Sequence, residues 1–135
     1  SGPFLDRFDL SLEVPLLPPG TLSGQPRGGE SSEQVRERVL RARQRQLERS
    51  GKVNAVMSNH DIQACCTLTP ADAEWLEQVL VQLGLSVRAW QRILKVARTI
   101  ADLAGDNAVS REHLTEAISY RAIDRLLIHL HSNLA

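Results

Sequence analysis

At 135 residues, with 16 basic and 16 acidic side chains and a formal net charge of zero, the chain has room for one ordinary domain and projects no overall field toward nucleic acid or a membrane. Aromatic residues make up only 4%, while Leu, Ala, Arg, Glu and Gln are abundant, which favours helices over sheet. Its only cysteines, Cys65 and Cys66, are adjacent, which excludes a disulfide framework and points to a reducing, cytoplasmic setting; no apolar run approaches the roughly 18 residues of a membrane span, and nothing reads as a signal peptide.

Residues 1–15 lack an initiator Met, and Phe8, Leu10, Leu12 and Val14 alternate with Asp9, Ser11 and Glu13 in the two-residue period of a strand. A lone strand needs neighbours, and no second convincing strand occurs in the chain. The expectation is a strand cut from a sheet whose remainder lies upstream. Residues 16–31 concentrate Pro, Gly and Ser, which continue neither strand nor helix and predict a flexible, disordered linker.

A first helix is predicted from about Glu33 to Ser50, capped by Ser31 or Ser32 and stopped by Gly51. Val35, Val39, Ala42 and Leu47 give it a thin apolar stripe, while Arg36, Arg38, Arg41, Arg43, Arg45 and Arg49 outnumber Glu33, Glu37 and Glu48. Such an excess either forms a solvated face, supported by pairs such as Glu33 and Glu37 with Arg41, or tracks a phosphate backbone. No aromatic residues interleave with the arginines, so there is no stacking platform for single strands.

A short helix is expected over Ser58–Cys66, capped by Ser58 or Asn59. His60, Asp61, Cys65 and Cys66 sit close together, but their spacing matches no zinc signature, so they read as packing and no metal site is expected. Thr69 followed by Pro70 starts another helix, Ala73, Leu76, Val79, Leu80 and Leu83 form its apolar face, and Gly84 ends it. Only Leu85 and Ser86 separate it from the helix that begins at Val87, so the two should be antiparallel.

The chain is organised around Ser86–Gly105, where Ala89, Ile93, Val96, Ala97, Ile100, Leu103 and Ala104 recur at helical spacing as a predicted core stripe between a Ser cap and a Gly stop. Arg88, Arg92 and Lys95, at i, i+4 and i+7, form a basic stripe beside it. The three cations repel one another, and Arg88 lies in the first turn, where the helix dipole also disfavours positive charge. An anionic partner would relieve both costs; the alternative is a solvated basic edge. Asp106 and Asn107 predict a turn, and Ser110 and His113 open a last helix whose Leu114, Ala117, Ile118, Ile123, Leu126, Leu127, Leu130 and Leu134 cover more than one side. That helix is either central or has a face awaiting a partner. His129 and His131, two apart, project to different sides and do not suggest a shared metal.

These residues carry a resemblance. Ser86-Val87-Arg88-Ala89, followed by Arg92-Ile93-Leu94-Lys95-Val96-Ala97-Arg98-Thr99-Ile100-Ala101-Asp102-Leu103, resembles the lid-domain helix of magnesium-chelatase-like AAA+ ATPases, in the competence-associated, ComM-like branch. Gly2-Pro3-Phe4-Leu5-Asp6-Arg7-Phe8-Asp9-Leu10 is similar to the segment that enters the last strand of the AAA+ core in that family. The likeness covers nearly the whole chain. It implies an all-α helical bundle, the lid domain, over residues 32–135, preceded by the end of the AAA+ core (1–15, with its strand remnant) and the linker (16–31). It implies that Arg88 is the sensor 2 arginine, reaching the phosphates of ATP, and that Arg7 is an arginine finger given in trans to a neighbouring subunit. Arg92 and Lys95 match the family sequence without an assigned role.

The resemblance further implies ATP and Mg²⁺ as cofactors of a longer protein, with its own AAA+ core and neighbouring subunits in a hexameric ring as partners. Its substrate would be DNA, acted on by a branch-migration helicase in natural transformation. The runner-up is an ATPase subunit of magnesium chelatase itself. A reading from another class is a stand-alone helical domain that binds DNA or protein through the arginines of residues 36–49. No G-x-x-x-x-G-K-[ST] loop and no acidic Walker B strand occur in these 135 residues, so the chain alone is expected neither to bind nucleotide or Mg²⁺ nor to turn over ATP.

Overall fold

A computed structural model describes Leu12 and residues 29–121. Arg7, the strand expected in 1–15, nearly all of the 16–31 linker, and the stretch with Ile123, Leu126, Leu127, His129, Leu130, His131 and Leu134 lie outside the described residues. Within them every regular element is helical: α1 (Ser32–Ser50), a 3-10 turn (Asn54–Val56), α2 (Asn59–Cys65), α3 (Pro70–Leu83), α4 (Val87–Ala104) and α5, described over 111–121. The expected all-α bundle is the architecture found.

Local sequence sets most of the boundaries. The Ser31 hydroxyl accepts the Gln34 N–H at 3.1 Å while the Gln34 side chain accepts the Ser31 N–H at 3.1 Å, a reciprocal capping box. Ser58 and Asp61 build the same device at α2, and Thr69 accepts the Asp72 N–H at α3 with Pro70 behind it. Each cap of this kind contributes about 1 kcal/mol. Gly84 ends α3 at φ 65°, where its own N–H reaches the Val81 carbonyl and the Leu85 N–H returns to the Leu80 carbonyl at 2.9 Å. The left-handed turn lets the chain reverse within three residues, and glycine adopts it without the Cβ clash. Ser86 takes the N-cap position of α4, yet its side chain makes no cap hydrogen bond. The first turn of α4 thus lacks the side-chain cap of α1, α2 and α3.

Helix α4 is the hub, packed against α1, the 3-10 turn, α2 and α3. Ile62, Leu76, Leu80, Ala89, Ile93, Leu94, Ala97, Ala101, Leu114 and Ala117 form its surrounding core. The predicted α4 stripe needs correction at one end: Leu103 is 38% exposed and Ala104 is also exposed, whereas Leu94, Arg98, Ala101 and Asp102 are buried. A helix covered by neighbours on several sides has no single apolar stripe, and Arg98 and Asp102 can enter the interior because each carries the other's countercharge. Leu103 instead borders an apolar cavity of about 600 Å³ that Val96, Ile100 and Tyr120 also line.

On α1 only Ala42 and Gln46 are buried, while Val35, Val39 and Leu47 stay exposed. Among the described residues neither Glu33 nor Glu37 pairs with Arg41; Arg38 pairs with Glu30 instead. Helices α3 and α5 are tied at the surface by Arg111, which bonds Asp72 at 3.0 Å and lies 5.0 Å over the Trp75 ring.

Candidate functional site: a basic cavity on α4

The i, i+4, i+7 spacing brings Arg88, Arg92 and Lys95 to one cavity of about 540 Å³, together with Gln91 of α4, Ala55 of the 3-10 turn and Asn59 and Ile62 of α2. Arg88 is exposed and makes no hydrogen bond or ion pair among the described residues. Lys95 donates from Nζ to the Ala55 carbonyl at 3.3 Å, which fixes its ammonium to the wall. Among the described residues no carboxylate lines the cavity. At 1.5 Å rise per residue the cations span roughly 10 Å of helix, and Arg88 sits in the first turn, where the helix dipole disfavours positive charge. Chemically the cavity is a set of donors for oxyanions: a guanidinium fork binds phosphate or carboxylate in two places, with an ammonium and an amide beside it.

A buried polar knot holds that wall in place. Asn54, which opens the 3-10 turn, gives its backbone N–H to Gln46 Oε1 at 2.9 Å, and its Nδ2 donates to Thr99 Oγ1 at 3.1 Å and Asp102 Oδ2 at 2.9 Å. Asp102, 2% exposed, also pairs with Arg49 of α1 and, at 3.2 Å, with Arg98. Arg98 donates onward to the Asp106 carbonyl at 2.8 Å and the Asn107 carbonyl at 3.0 Å, fastening the loop after α4. Asn54 Oδ1 and Arg98 Nε have no hydrogen-bond partner among the described residues. Turning the Asn54 amide over would put its oxygen against the Asp102 carboxylate, so the amide's donor end is the one in use. Sequence reading missed Gln46, Asn54, Arg98 and Asp102. The one signal for them was the pairing of opposite charges at 98 and 102, an i, i+4 spacing inside an otherwise apolar helix.

The group His60, Asp61, Cys65 and Cys66 is not assembled into a site. His60 is exposed, Cys66 Sγ donates to the Leu94 carbonyl at 3.7 Å, and burial pushes its thiol up to about 11. Among the described residues no group of three or more His, Cys, Asp or Glu could hold a metal ion. Asp61 is the α2 capping carboxylate: a 2.7 Å bond from Lys52 Nζ, then the Ser58 N–H and hydroxyl, hold its pKa down at about 2. Because that value lies below the ordinary 3.8, the capping contribution is complete above about pH 4 and fades as pH falls through about 2. A carboxyl-carbon NMR titration should place the Asp61 midpoint near 2, and Lys52→Ala should move it upward; an ordinary midpoint in the unsubstituted chain would contradict the bond.

Of the residues predicted to act, the structure gathers Arg88 with Arg92 and Lys95; Arg7 lies outside the described part. No described helix is long and apolar enough to cross a membrane. Residues 29–121 match the family model described as magnesium chelatase, subunit ChlI C-terminal. The chain is 62% identical over all 135 residues to the uncharacterized protein YifB of Salmonella typhimurium, and 61% identical over 130 residues, 96% of its length, to YifB of Escherichia coli. It is 58% identical over 127 residues, 94% of its length, to the competence protein ComM of Haemophilus influenzae. It spans only 27%, 26% and 25% of these relatives, about a quarter of each. On the match over residues 29–121 and the identity to ComM, the chain belongs to the magnesium-chelatase-like family, in its ComM-like branch.

Proposed function

We propose that the chain is the helical lid of an ATP-dependent AAA+ motor, and that Arg88 is its sensor 2 arginine. The observation that carries this is an exposed guanidinium, without a partner among the described residues, on a cavity that two more basic side chains line. In that role Arg88 donates to the terminal phosphate oxygens and stabilises the charge that develops on them during transfer. Lys95, anchored to Ala55, and Arg92 extend the same positive field.

The cavity's donors fit the phosphates of ATP. They do not fit Mg²⁺, which takes carboxylate and carbonyl oxygens, so the lid holds the nucleotide's anionic end and leaves the ion to other groups. The competence name of the Haemophilus relative supports the finer reading: a cytoplasmic, hexameric branch-migration helicase that acts on DNA during natural transformation, with Arg7 reaching into the next subunit's nucleotide. A magnesium-chelatase subunit is the alternative within the family.

The test uses the longer protein. Arg7→Ala and Arg88→Ala proteins should each be inactive as ATPases, while a mixture of the two should regain part of the activity. Restoration arises where a subunit with its own Arg88 meets a neighbour's Arg7. A mixture that stays as inactive as its components removes the trans assignment.

A further inference from the structure

Arg88 and Lys95 line the same cavity but are held differently. Arg88, in the first turn of α4, is exposed and makes no hydrogen bond or ion pair among the described residues. Lys95, two turns further on and half-buried, gives one of its three Nζ hydrogens to the Ala55 carbonyl at 3.3 Å, which leaves two for a ligand. That carbonyl is itself fixed. Ala55 lies in the 3-10 turn, where the Met57 N–H donates to the Asn54 carbonyl at 3.1 Å. Buried Asn54 pins the turn to α1 through Gln46 Oε1 at 2.9 Å, and to α4 through Asp102 Oδ2 at 2.9 Å and Thr99 Oγ1 at 3.1 Å. The Thr99 hydroxyl in turn donates to the Lys95 carbonyl at 3.0 Å. Both ends of Lys95 therefore trace back to Asn54, the ammonium by way of Ala55 and the backbone by way of Thr99.

We infer that Lys95 is a second phosphate-binding residue of this cavity, taking the inner phosphates of a nucleotide while Arg88 takes the terminal one, and that Asn54 is the residue that positions it. The inference rests on the nucleotide reading above and divides the work of that site between two cations. Seven residues of helix set the two Cα atoms roughly 10 Å apart. An untethered Arg88 can swing, but Lys95 is held to its wall, so a linked chain of phosphates engages both where a single phosphate would have to choose. Fixing a lysine costs rotamer freedom, and the Ala55 bond meets part of that cost before any ligand arrives. The chemistry of the two heads agrees: a guanidinium fork matches two oxygens of one phosphate, whereas an ammonium acts as a point charge and can sit between oxygens of neighbouring phosphates.

Calorimetric titration of the longer protein with ADP, beside its ATPase kinetics, tests the assignment. Lys95→Met should weaken ADP by about tenfold, the loss expected for a hydrogen bond to a charged group, and should raise KM for ATP more than it lowers kcat. Arg88→Ala should weaken ADP less than Lys95→Met does, because ADP lacks the terminal phosphate. Asn54→Ala should weaken ADP severalfold in the parent and add nothing in a Lys95→Met background, since no ammonium is left to position. A residue that served the fold alone would weaken both backgrounds equally. Should circular dichroism show that Asn54→Ala loses its helices, Thr99→Val, at a half-buried site, takes its place in the cycle with the same expectation. A folded Lys95→Met protein that binds ADP as tightly as the parent overturns the inference, and an Asn54 or Thr99 effect that persists undiminished without Lys95 overturns the positioning role. Unchanged hydrolysis in Arg88→Ala would instead remove the sensor reading, while the ADP comparison still decides the case of Lys95.

Discussion

Replacing Asp102 by Ala should cost about 3–5 kcal/mol of folding stability, because it leaves a buried guanidinium without its countercharge. The Arg98 side chain is only 3% exposed and that of Asp102 is fully enclosed, so water cannot take the carboxylate's place. The same substitution removes the acceptor of Asn54 Nδ2 and the partner of Arg49. For a domain of this size each kcal/mol is worth about 4–8 °C in Tm, so thermal unfolding followed by circular dichroism gives a large signal. Asp102→Asn, which keeps the shape and an acceptor, should fall between the two. Arg49→Ala should cost much less, since its side chain is 25% exposed and Arg98 still faces the carboxylate. An Asp102→Ala chain within about 1 kcal/mol of the parent would show that the polar knot is not a stabilising centre of the fold.

Arg88→Ala should separate function from folding. Its side chain is exposed and makes no hydrogen bond or ion pair among the described residues, so the 135-residue chain should unfold within about 0.5 kcal/mol of the parent. In the longer protein, ATP hydrolysis should fall by about 10²–10³-fold, the range seen when one preorganised donor to a developing oxyanion is removed. Arg88→Lys should recover only part of it, because an ammonium is a point charge and cannot present two parallel donors. A variant that loses helical structure while its hydrolysis is unchanged would reverse the assignment of Arg88 from ligand contact to scaffold.

The outline of the fold was legible because its signals are local. Ser31, Ser58 and Thr69 cap as their positions predict, and Gly51, Gly84 and Gly105 stop three helices in the left-handed conformation that the pattern requires. The basic stripe was legible too, since helical spacing alone puts Arg88, Arg92 and Lys95 on one side. The polar knot was not. Gln46, Asn54 and Asp102 lie in three separate elements, and nothing in their spacing says that α1 and the 3-10 turn converge on α4. Single-stripe reasoning also failed at Leu103, because the number of neighbours around α4 is a tertiary fact. Periodicity indicates which side of a helix is apolar, not how many sides are covered.

The joint at Gly84 and Leu85 has a mechanical corollary. Two doubled-back hydrogen bonds and a three-residue connection tie α3 to α4, and Arg111 links α5 to α3 through Asp72. In the lid reading proposed above, a swing that carries Arg88 toward a ligand would take α3 with it, since the arginine lies in the first turn after this joint.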